Sequence, residues 1–159
     1  MPPEPTVISL QNVSETLALG EQLGKIVPTG TVLLLTGDIG SGKTTLIKGL
    51  GLGLGIAETI DSPTFTLISE YIDGRIPLYH IDLYRIEKSE VGGLFLDTYW
   101  EGQEVEPGIT AIEWAERLSW SPPDSLHIDI THQEKGRQVT LIPANESHVQ
   151  LLKTLHWSR

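Results

Sequence analysis

Lys43 and Thr44 close the run Gly37-Asp38-Ile39-Gly40-Ser41-Gly42-Lys43-Thr44, in which a glycine and four residues precede glycine, lysine and threonine. These types at this spacing form a phosphate-binding loop. Glycines let backbone N–H groups turn inward and approach phosphate oxygens, and a following helix adds the positive end of its dipole. The lysine brings a point charge to the β- and γ-phosphates, and the threonine hydroxyl is a ligand for Mg²⁺. The expected chemistry is the binding of a nucleoside triphosphate.

Four further clusters carry groups able to act on such a ligand. Glu113 ends the apolar run Ile109-Thr110-Ala111-Ile112-Glu113-Trp114, where a P-loop protein needs a carboxylate opposite Thr44, beside the metal. The run is short and interrupted by Thr110, so alone it is a weak Walker B signal. Trp114 either stacks near the nucleotide or fills the core. His80 and Asp82 are two apart on an expected strand and share a face, with Arg85 close behind. Asp82 either orients a water or metal, or belongs to a solvated face with an Asp–Arg pair, the reading the pattern alone slightly favours. His80 by itself reads as structural. Ser62-Pro63-Thr64-Phe65-Thr66 is either a switch-like loop carrying a hydroxyl to the γ-phosphate or a proline turn before a strand. Arg137, in a late turn, either touches the nucleotide or is merely solvated.

The elements that must position these groups follow from periodicity. Thr31 to Thr36 is apolar enough for a buried strand, and Thr45 to Leu50 carries apolar residues at helical spacing, so the loop sits between strand and helix. That helix is expected to stop at Gly51-Leu52-Gly53-Leu54-Gly55, which is rich in glycine. Upstream, Thr6 to Leu10 reads as a strand, and Ser14 as the N-cap of a helix whose apolar face is Leu19, Leu23, Ile26 and Val27. Residues 66–72 and 76–82 flank Asp73-Gly74-Arg75 as an antiparallel hairpin. Strands are expected at Gly108 to Trp114, Leu126 to Ile130 and Gln138 to Ile142, with a final helix capped by Asn145. The result is an α/β fold, a P-loop NTPase domain with a mixed parallel and antiparallel central sheet flanked by helices.

Composition sets limits on function. A chain of 159 residues is expected to form one domain, with the Pro-rich residues 1–5 frayed. No apolar run approaches a membrane span, and no secretion or transit signal is expected near Met1. The absence of cysteine excludes disulfides and thiolate chemistry and agrees with a cytoplasmic location. A formal charge of −10 argues against tight autonomous binding of nucleic acid, so any RNA is expected to be held by a partner.

Taken in order, Gly37 to Thr45, Ser62 to Leu67, His80-Ile81-Asp82-Leu83-Tyr84-Arg85 and Ile112-Glu113-Trp114-Ala115-Glu116 resemble the TsaE (YjeE) family, bacterial ATPases required for threonylcarbamoyladenosine modification of tRNA. A P-loop alone is widespread; the ordered set of four in a short chain is specific. The resemblance runs from the first helix to Arg137 and implies a small ATPase that uses ATP and Mg²⁺ and works with TsaB and TsaD. TsaD transfers the threonylcarbamoyl group to adenosine 37 of tRNAs reading codons that begin with A. By matched position, Lys43 and Thr44 bind phosphate and Mg²⁺, and Glu113 is the Walker B-like carboxylate. Thr64 matches the family's switch-like threonine, Asp82 its functionally important aspartate, Arg137 a position near the nucleotide, and Thr16 a first-helix residue close to the base. Residues 90–106 depart from the family's usual Glu-rich helix and are acidic, with Tyr99 and Trp100 expected to be exposed, where they would alter a partner contact. Ala115 replaces a frequent proline, a change expected to be neutral.

Two other classes stay open on sequence. A small-molecule P-loop kinase needs an acceptor pocket and usually an arginine-bearing lid, and the five arginines here are scattered singly. A non-hydrolysing, nucleotide-gated interaction module would keep Lys43 and Thr44 without releasing phosphate. A GTPase is disfavoured because no Asn-Lys-x-Asp or Thr-Lys-x-Asp segment is present.

Overall fold

The apolar run ahead of the glycine loop becomes strand β2 (Val32–Thr36), whose first four residues are all buried. A strand covered on both faces belongs in the middle of a sheet. The computed structural model describes residues 3–38, 40–63 and 67–157. Its other strands are β1 (Thr6–Leu10), β3 (Ile68–Tyr71), β4 (Leu78–Asp82), β5 (Ile109–Glu113), β6 (Ser125–His132) and β7 (Arg137–Ile142). They form one seven-stranded sheet of order β1-β7-β6-β2-β5-β4-β3 with β2 at its centre. Strands β6, β2, β5 and β4 are parallel; β1 and β7 on one side and β3 on the other pair antiparallel. The expected mixed sheet is thus observed.

Helices α1 (Val13–Ile26) and α2 (Lys43–Leu54) cover one face. Leu19, Leu23, Leu46, Ile47 and Leu50 join Leu33, Leu35, Ala111 and Ile128 of the sheet in one buried cluster. The other face carries a smaller cluster: Val32, Leu34, Ile81 and Ile112 meet Val91, Leu96 and Leu118 from the segments that follow β4 and β5. Alternate residues of β2 thus enter opposite clusters, as a two-residue side-chain period requires. Helix α3 (Thr98–Glu101) lies between β4 and β5, and α4 (Glu146–Leu152), capped by the Asn145 side chain as expected, brings Leu152 to the larger cluster.

Three local expectations are corrected. The N-cap of α1 is Asn12, whose side chain accepts from the Glu15 amide, and Ser14 lies inside the first turn. Helix α2 does not stop at the glycine run; it continues to Leu54 and ends at Gly55, which adopts φ 78°. The glycines are there for contact. A Cβ on Gly49 would stand 2.3 Å from the Leu17 carbonyl oxygen and one on Gly53 2.1 Å from that of Glu21. Conversely, Cβ atoms on Gly20 and Gly24 of α1 would meet the carbonyls of Leu46 and Leu50 at 2.2 and 2.3 Å. The two backbones lie too close for any side chain, and this contact offsets glycine's helix cost of about 1 kcal/mol per residue. Finally, Tyr99 and Trp100 are half-buried against the smaller cluster rather than exposed, with the Tyr99 ring 5.0 Å from that of Tyr79; the exposed aromatic of this segment is Phe95.

Candidate nucleotide site

The parallel strands deliver their C-terminal ends to one edge, where open α/β sheets bind ligands. Leu35 of β2 and Asp82 of β4 are both register partners of Glu113 on β5, so the glycine loop and the two carboxylates arrive at one level. Gly42, at φ 115°, turns the chain into α2, a conformation that disfavours any side chain.

Lys43 is buried and folds back over the loop. Its Nζ donates to the carbonyl oxygens of Gly37 and of Asp38, the latter at 3.0 Å, and stands 4.3 Å from the Trp114 ring centre. Burial pushes its pKa down from the ordinary lysine value, and the carboxylates of Glu113, Glu116, Asp82 and Asp38 oppose that shift. The loop therefore holds a partly desolvated cation that its own carbonyls satisfy.

Thr44, the second residue of α2, donates its hydroxyl to both carboxylate oxygens of Glu113 at 3.0 Å. Glu113 is buried and also bonded to His80 Nε2 at 2.6 Å. Asp82 is buried too, accepting from the Ser62 hydroxyl at 2.7 Å and the Tyr84 amide at 2.9 Å. The solvated strand face that the pattern slightly favoured for His80 and Asp82 is thus overturned: β4 is buried along its whole length. A cavity of about 420 Å³ opens over these groups, its wall including Gly40 to Thr45, Ser62, Asp82, Tyr84, Glu113 and Trp114. Lys43 is the one cationic side chain among the described residues lining it. Trp114 holds φ 59°; its indole contacts Lys43 and the Tyr84 ring, 5.0 Å away, and it both lines the cavity and packs against the smaller core cluster.

On the far side of the loop a second cavity, about 390 Å³, is bounded by Asn12, Val13, Thr16, Gly40 to Gly42, Thr45 and Arg137. Thr16 and Arg137 thus share one cavity wall with the loop. Arg137 is not a solvated turn residue: it donates to the carbonyls of Ser41 at 2.8 Å, Gly136 at 3.0 Å and Gly40 at 3.2 Å. It braces the loop from behind. Ile39 and Thr64 lie outside the described residues. The structure thus brings together Gly40 to Thr45, Asp82, Glu113 and Trp114 around one space, with the Gly37 and Asp38 carbonyls holding Lys43 and with Thr16 and Arg137 around the neighbouring cavity. Sequence reasoning missed Ser62 and Tyr84 as wall residues and gave His80 too small a part. Ser62 sits in a quoted motif, but the hydroxyl singled out there was that of Thr64.

A parallel strand, a glycine loop opening a helix, and a carboxylate at the end of the neighbouring strand bonded to the helix threonine define a P-loop NTPase fold. Comparison with known proteins narrows this. The family described as threonylcarbamoyl adenosine biosynthesis protein TsaE matches residues 10–139, and the chain belongs to that family. It is 51% identical to the tRNA threonylcarbamoyladenosine biosynthesis protein TsaE of Nostoc sp. over 150 residues, covering 94% of this chain and 93% of the relative. The protein of the same name from Bacillus subtilis is 40% identical, with 91% and 89% covered. A crystal structure of Bacillus subtilis YdiB shares the fold at a TM-score of 0.78 and 34% identity, over 94% of this chain and 93% of that one. Family and fold agree with the expectations from sequence. No helix among the described residues is long and apolar enough to cross a membrane.

Proposed function

We propose that this protein is a magnesium-dependent ATPase of the cytoplasm that serves threonylcarbamoyladenosine modification of tRNA, acting with TsaB and TsaD. The observation that carries the reading is the Lys43, Thr44 and Glu113 constellation over the glycine loop, in a chain of the TsaE family. An oxygen-only donor set of one hydroxyl and nearby carboxylates suits Mg²⁺, which prefers hard oxygen ligands and keeps substrate phosphates among them. Thr44 and Glu113 would hold the metal, with Asp82 beside them. Magnesium, when bound, supplies neutralisation of charge on the β- and γ-phosphates.

The chain's own residues do the rest. Loop amides from Gly40 to Thr45 grip the phosphates, and Lys43 exchanges its carbonyl partners for phosphate oxygens. Glu113 keeps the Thr44 hydroxyl turned toward it, and Asp82 orients the attacking water across the cavity. Thr16 and Arg137 border the second cavity, which would take the base, as their matched positions in the family imply. A wall whose described residues include a single cation stabilises the departing phosphates incompletely, so turnover is slow alone and rises when a partner completes the site. The net charge of −10 fits a protein that reaches tRNA through its partners.

The test is phosphate release with ATP and GTP, each with and without TsaB and TsaD. Release with ATP that rises on adding the partners supports the reading. No release in any mixture contradicts it, as does a product that scales with an added hydroxyl compound.

A further inference from the structure

His80 is fully buried and lies outside the cavity wall, and none of the roles given above to substrate-facing groups falls to it. Its Nε2 lies 2.6 Å from Glu113 Oε2. Its other ring nitrogen, Nδ1, is buried without a hydrogen-bond partner among the described residues. A residue present for packing alone gains nothing from a nitrogen left unpaired in the interior. The contact fixes the direction of the bond. With Glu113 ionised, two bare lone pairs would repel at that distance, so Nε2 carries a proton and donates to the carboxylate.

The topology explains why the histidine is at this position. Asp82 is the register partner of Glu113 and His80 that of Ala111, so His80 lies one side-chain step behind Glu113, away from the cavity. Thr44, on α2, grips the same carboxylate from the loop side. Glu113 is thereby held between two donors that come from different elements.

We propose that His80 is a positioning residue for nucleotide hydrolysis: its Nε2–H pins one oxygen of Glu113 so that the carboxylate keeps its orientation toward Thr44 and the metal position. The inference rests on the ATPase reading and goes beyond it by assigning that orientation to a residue that never meets the nucleotide. Partners that orient a metal-holding group typically change affinity or activity by about 10–100-fold when removed.

The test uses the full chain as wild type, His80→Leu and His80→Gln, the last carrying an amide N–H at the reach of Nε2. With the protein partners present, His80→Leu should lower kcat for ATP roughly 10–100-fold. KM should rise only by the metal's lost share of ATP affinity, because the loop and Lys43, which hold the nucleotide without metal, are untouched. His80→Gln should recover most of the loss. ¹⁵N NMR of the wild type without metal or nucleotide should show His80 protonated at Nε2. Binding of ATP measured with and without Mg²⁺ should lose its metal dependence in His80→Leu and regain it in His80→Gln. A ring protonated at Nδ1 alone, an unchanged kcat in His80→Leu, or equal losses in both variants overturns the proposal, even where Lys43→Ala confirms that the loop drives turnover. If the wild type releases no phosphate, the ATPase reading fails by itself. The ring tautomer and the metal dependence of ATP binding then still decide whether His80 sets Glu113.

Discussion

Glu113 and Asp82 end neighbouring parallel strands in the same register, yet different parts of the molecule hold them. Glu113 is tied to α2 through Thr44 and to β4 through His80, both elements anchored in the sheet and its helical layer. Asp82 is tied to Ser62 and to the amide of Tyr84, which lie in irregular chain before β3 and after β4. The side-chain partners of one carboxylate thus belong to regular elements, those of the other to irregular chain. Two acids that look equivalent along their strands are thus held differently, which matches the different tasks proposed for them.

Substitutions can break or sharpen this contrast. The largest effect is expected from Glu113→Gln, which keeps the shape but removes the charge facing Thr44: kcat for ATP should fall roughly 10²–10³-fold, read by phosphate release. Asp82→Asn should cost less, roughly 10–100-fold, since the amide still accepts from the Tyr84 N–H. Equal losses in the two would erase the distinction. Effects on stability should run along the same divide. Gly53→Ala drives a methyl into the Glu21 carbonyl and should lower unfolding stability by about 1–3 kcal/mol in urea melts. Gly92→Ala, in the segment after β4 where a Cβ meets nothing, should change it by less than about 0.5 kcal/mol.

What the sequence disclosed divides in a similar way. The loop from Gly37 to Thr44 was legible because its chemistry needs fixed types at fixed local spacing, with a buried strand just ahead. Glu113 was legible only in company, because a carboxylate after a short apolar run gains meaning from a loop already found. The end of α2 was misread because Gly51 answers to Ile60 and Gly53 to Glu21 and Gly24, whose position against them is a tertiary fact; local propensity saw only helix breakers. His80 was undervalued for a related reason: its partner is 33 residues away on a neighbouring strand, and nothing in the spacing pairs them. Arg137, open on sequence between touching the nucleotide and being solvated, is placed by the fold against the carbonyls of Ser41 and Gly40, contacts no local pattern announces. The half-burial of Tyr99 and Trp100 likewise depends on which face of the sheet their segment covers.

The most direct measurement of the central claim is a calorimetric titration of the folded wild type and of Lys43→Ala with ATP in the presence of magnesium. Saturable heat from the wild type and none from Lys43→Ala, with both showing the same circular dichroism, is the predicted result. No heat from the wild type at millimolar ATP, or equal binding by the variant, would contradict the assignment of this loop to a triphosphate.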